Sequence, residues 1–134
     1  MKNIIFLVFF CVGCQSIGEI QPEYKTEYLH PQAGQLSIYK TNSETLFEVK
    51  NKFGIGKAKV ILEKGSWPKK IVLRLYLNGL EGITISGSGQ RLEKSDLQIT
   101  ENKINGITFF EIILPESLFQ KGKEVYFSWV DFYR

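Results

Sequence analysis

Histidine, cysteine and aspartate are nearly missing from this chain, which has one His, two Cys and two Asp in 134 residues. A transition-metal site of clustered imidazoles or thiolates is therefore not expected. A serine triad lacks its base as well, because His30, the lone histidine, sits beside Pro31 in a polar, aperiodic stretch. Charge of one sign is not concentrated anywhere: the formal net charge is only +3 and the basic residues are scattered among acids. Nucleic acid is thereby excluded as a partner, since phosphate recognition needs a gathered basic footprint. No amphipathic helix longer than a turn or two is readable, which rules out helical repeats and a parallel sheet. The glycine-rich motifs are incomplete. Gly54-Ile55-Gly56 lacks the third glycine and the following helix of a dinucleotide loop, and reads as a bulge or tight crossing. Gly87-Ser88-Gly89 lacks the spacing of a nucleophile elbow and reads as a loop. No cofactor is expected.

What is present is strand. In Lys70-Ile71-Val72-Leu73-Arg74-Leu75-Tyr76-Leu77, aliphatic residues recur every second position, with Val72, Arg74 and Tyr76 between them. A strand sends these two sets to opposite faces, one buried and one able to carry polar contacts. Similar short segments begin near Leu36, Thr45, Ala58, Ile83, Gln90, Leu97, Ile107 and Glu124. The Asn78-Gly79 and Asn105-Gly106 pairs are favoured hairpin turns, and Pro115 to Gln120 suits a single helical turn. Eight or nine short strands with turn signals every eight to twelve residues predict an all-β, antiparallel sandwich of jelly-roll type, with a partly open barrel as the second choice.

The N-terminus predicts the compartment. Lys2 supplies a positive charge, Ile4 to Phe10 an apolar core, and Ile4 to Gly13 is ten residues, about half of the ~20 that a membrane-spanning helix needs. The following Cys11-Val12-Gly13-Cys14 resembles the lipobox of bacterial lipoproteins, with Cys11 in place of the usual leucine. That resemblance implies cleavage before Cys14, lipidation of its sulfur, and, with Gln15 next, an outer-membrane location. The mature chain then keeps no free thiol. The expected organisation is a signal peptide over 1–13, a lipidated tether over 14–35 able to reach ~70 Å when extended, and a sandwich domain over 36–134.

Six residues stand out as a candidate binding surface. Asp131 lies in the most aromatic segment, where an ionised carboxylate needs a partner, and Arg74 is the expected one, with Arg134 as competitor. Trp67, before Pro68, is a candidate sugar-stacking platform, which Tyr76 or Tyr126 would extend. Tyr133 completes the set. Structural readings compete at each: Arg74 and Asp131 as a register clasp, Trp67 as a core lid. Twelve glutamates also leave room for a carboxylate-pair glycosidase.

Gly54-Ile55-Gly56-Lys57-Ala58, Trp67 to Leu75, Gly79-Leu80-Glu81 and the terminal Trp129-Val130-Asp131-Phe132-Tyr133-Arg134 together resemble a group of short secreted bacterial proteins of unknown function. The resemblance implies a shared scaffold and no chemistry. The expected role is a lipid-anchored envelope protein with a non-enzymatic binding or structural function. The alternatives are a carbohydrate-binding module and, third, a small glycoside-active enzyme. Expected partners are the membrane, through Cys14, and a protein or glycan ligand.

Overall fold

The computed structural model describes residues 21–29, 35–41, 43–50 and 55–131. Ten strands follow one another among the described residues: β1 (Glu23–Tyr28), β2 (Leu36–Lys40), β3 (Glu44–Val49), β4 (Ile55–Lys64), β5 (Lys70–Leu75), β6 (Leu80–Gly87), β7 (Gln90–Glu93), β8 (Gln98–Ile104), β9 (Ile107–Ile113) and β10 (Glu124–Asp131). They form two five-stranded sheets, β2-β3-β5-β9-β8 and β1-β4-β10-β6-β7. The expected sandwich is present. Single turns of 3-10 helix lie at Lys94–Asp96 and Glu116–Leu118, one more than expected.

The alternation in β5 has the foreseen outcome. Ile71, Leu73 and Leu75 are fully buried between the sheets, and Phe47, Ile112, Val60, Ile85, Phe127 and Trp129 meet them there. Phe47 and Phe127 join the layers edge to face, with ring centroids 5.8 Å apart. The described residues include no cysteine, and apolar burial holds the two layers together.

Three expectations need correction. First, the sheets are not wholly antiparallel: β3 and β5 run parallel, with Glu48 opposite Arg74. Among the described residues no helix connects them: β4 lies in the other layer, and two reversals restore the original direction. Second, Asn78-Gly79 does not close a hairpin. The strands on either side of it belong to different sheets, and Leu77 and Leu80, both buried, draw the chain across the end of the core. The true tight hairpins are at Asn105-Gly106 (φ 53° and 79°), as expected, and at Ser88-Gly89 (φ 52° and 78°), where only a loop was expected. Third, β1 lies inside the stretch expected to be tether, so the sheet begins at least a dozen residues before Leu36.

β1 is held chiefly through Tyr24. Its ring meets Phe47 edge-on at 5.7 Å and tilts against Trp67 at 5.8 Å, and its hydroxyl lies 3.4 Å from Thr45 Oγ1. Burial raises the Tyr24 phenol above its ordinary pKa of 10.0, partly offset by the Thr45 contact. The unfolded chain therefore ionises first as pH rises. This group's contribution is complete below about pH 10 and is lost as pH climbs through the folded value. Wild-type stability is expected to fall more steeply than that of Tyr24→Phe in denaturant titrations across that range. Parallel curves would contradict the burial of this phenol.

Candidate functional site

Two outer faces compete for function. On the first sheet, the register aligns Ser37, Glu48, Arg74, Glu111 and Thr100 in one row across all five strands. Arg74 sits between two carboxylates. Its Nε and Nη2 both reach Glu111 Oε2, at 2.8 and 2.6 Å, and its Nη1 donates to Glu48 Oε2 at 3.2 Å. The Tyr76 hydroxyl donates to the same Glu48 oxygen at 2.9 Å, and Lys50 stands 3.9 Å from the other. Phe109 lies beneath, 5.4 Å from both the Tyr76 ring and the guanidinium carbon. Burial, the largest single influence, would lower the Arg74 pKa, but the hydrogen bonds and charges of Glu111 and Tyr76 together outweigh it and hold the group above its ordinary value.

Arg74 therefore has partners, but not the expected one. It projects from the outer face of the first sheet, whereas Asp131 belongs to β10 in the second, beside Leu80. The residues that answer Arg74 come from its own sheet neighbours, β3 and β9. Each carboxylate is already engaged and the aromatic rings stack on one another, so this cluster is a self-contained clasp. Glu48 is only 7% exposed despite facing outward, which shows how completely Arg74, Tyr76 and Lys50 cover it.

Trp67 is a lid. Its indole N–H donates to the Gly122 carbonyl at 2.8 Å, and its ring packs on Phe119 at 4.9 Å and on Tyr24. It closes the end of the core where β1 begins, away from the Arg74 row. Of the remaining candidates, Cys14, Tyr133 and Arg134, with His30 and Gly54, lie outside the described residues. Among the described residues, Trp67 does not converge with the Arg74–Tyr76 pair on one site.

The second sheet offers different geometry. Its outer face carries short side chains at the centre, Thr84 and Ser86 on β6 and Ser128 on β10, between longer ones at Lys57, Tyr126 and Arg91. Short residues flanked by long ones leave a trough. It comprises two adjoining depressions of about 490 and 530 Å³ that share Ser86 and Tyr126, within the size range of small-ligand sites. The second depression runs out to the Ser88-Gly89 turn and the Lys121–Lys123 segment. Compared with family models, curated proteins and solved structures, the chain matches none.

The side chains of its walls set the trough's chemistry. Lining cations are Lys57, Arg91, Lys121 and Lys123, against the single carboxylate of Glu124. Tyr126 donates to Glu124 Oε1 at 3.2 Å, and the Lys59 ammonium lies 5.3 Å from its ring. A hydrogen bond with Glu27 holds Lys59 above its ordinary pKa, so that cation stays charged beside the ring. Among the described residues no group of three or more His, Cys, Asp or Glu is placed to hold a metal ion. Hydroxyls, ammonium groups and a phenol can bind and orient a polar ligand, and the lining offers neither a paired acid and base nor an activated nucleophile. Tyr126 was legible in the sequence as a possible platform. Thr84, Ser86 and Ser128 were not singled out, although their signal was visible: small hydroxylated residues at outward positions of two central strands, where charged ones are usual.

Proposed function

We propose that this protein is a lipid-anchored module of the cell envelope, with a non-enzymatic binding role exercised through the outer face of its second sheet. The observation that carries the reading is the trough over Thr84, Ser86 and Ser128, a recess whose Lys57, Lys121 and Lys123 form no ion pair among the described residues while Arg91 pairs with Glu93 at 3.5 Å, in contrast to a first-sheet face whose charges are engaged with one another. The anchor rests on Cys14 and the resemblance of its surroundings to a lipobox, which also points to the outer membrane. Three acyl chains on a mature Cys14 would hold the protein stably, since one chain alone binds marginally.

The start of β1 limits the reach of such an anchor. Eight residues lie between Cys14 and Glu23, a span of no more than about 32 Å at full extension. The end of the sandwich where β1 begins would therefore stand near the bilayer. Cys14→Ser is expected to move the protein from the membrane fraction to the soluble fraction and to abolish incorporation of labelled palmitate. Unchanged membrane association would overturn the anchor.

A further inference from the structure

We infer that the trough on the second sheet takes an anionic oligosaccharide. This deepens the binding role proposed above and rests on it. Four lining cations face one lining carboxylate, and Lys57, Lys121 and Lys123 form no ion pair among the described residues. These cations are spread along the trough. The Lys123 carbonyl accepts from the Leu62 N–H at 2.7 Å, and Lys57 lies five residues from Leu62 along β4, roughly 17 Å at about 3.3 Å per residue. A single small anion cannot meet charges that far apart, whereas a chain with repeated negative groups can.

Three features select a saccharide over an acidic peptide or a bilayer. The floor residues Thr84, Ser86 and Ser128 are hydroxyls that both donate and accept, matching sugar hydroxyls. The Tyr126 ring borders both depressions and offers a surface to a pyranose. The floor strands β4, β10 and β6 are interior to the sheet, so their backbone groups are spent in the ladder, and an extended peptide cannot add there as a further strand. A bilayer surface is too flat to enter a recess.

The test is calorimetric titration of the full-length protein in nonionic detergent with hexagalacturonate, maltohexaose and poly-L-glutamate. Hexagalacturonate is expected to bind, at least tenfold more tightly than maltohexaose, and to weaken as salt rises. Lys57→Ala and Lys123→Ala should each weaken it about fivefold, as for loss of one exposed ion pair. Ser128→Trp, which fills the recess from an outward position, should abolish binding while leaving the melting temperature unchanged; Ser86→Trp is the second such variant. Equal binding of maltohexaose would overturn the anionic character and leave the binding role standing. Equal binding of poly-L-glutamate would overturn the saccharide. Unchanged binding in both tryptophan variants would overturn the site, and binding of none of the three probes would overturn the inference. Cleavage of hexagalacturonate would instead sink the non-enzymatic reading while upholding the ligand class.

Discussion

Gly56→Ala is expected to destabilise the protein by about 3 kcal/mol, at the upper end of ordinary overpacking costs. Gly56 lies directly opposite Trp129 in the β4–β10 ladder, and the indole lies over its Cα, so an added Cβ would land inside the six-membered ring. Trp129 cannot swing aside, because it is fully buried in the core. For a domain of this size the loss corresponds to a drop in melting temperature of roughly 10 °C. The mechanism has its own check. Trp129→Phe makes room and removes an indole N–H that has no hydrogen-bond partner among the described residues. The double variant Gly56→Ala, Trp129→Phe should therefore be more stable than the two single losses added together. Strict additivity would mean that the indole is not what excludes a side chain at position 56.

Arg74→Ala is the second large effect. Removing one partner of a buried ion pair typically costs about 3–5 kcal/mol, because the other charge is left without compensation. The Glu48 side chain is 8% exposed and that of Arg74 27%, so a cost of about 2–3 kcal/mol is expected here, measured by urea denaturation. Glu111 is more open, and water replaces its lost partner. The origin of the cost lies in the stranded Glu48 carboxylate, so Arg74→Leu combined with Glu48→Leu should recover most of the stability. Failure to recover would place the cost in lost packing against Phe109 instead.

The central alternation from Ile71 to Leu75 was legible because one buried face and one outer face impose a period of two that survives in the residues alone. The hairpin at Asn105-Gly106 was legible because positive φ at two successive positions favours these residue types. Partners across strands were not. Arg74 was assigned to Asp131 on the argument that a carboxylate among aromatics needs a cation, yet Glu48 and Glu111 are its partners only because β3 lies parallel to β5 and β9 antiparallel to it. That register is a property of the assembled sheet. β1 escaped notice for a related reason. It is an edge strand with Glu23, Lys25 and Glu27 facing outward, the charged pattern that protects edges, and its inward anchoring falls mainly to Tyr24.

The candidate site divides in the same way. Residues with conspicuous chemistry, Trp67 and Arg74, prove to be a lid and a clasp. The recess is made by inconspicuous residues, Thr84, Ser86 and Ser128, whose smallness matters only beside long neighbours from other strands. An absence of bulk carries meaning only after the fold has placed something bulky next to it.

The outer face of the first sheet carries a stabilising ion-pair clasp, and that of the second carries the proposed binding trough. The most direct test measures melting temperature and hexagalacturonate affinity side by side in Arg74→Ala and Ser128→Trp. Arg74→Ala should melt lower and bind as wild type does, while Ser128→Trp should melt as wild type does and fail to bind. The reverse pattern, with binding lost in Arg74→Ala and retained in Ser128→Trp, would contradict the assignment of the two faces.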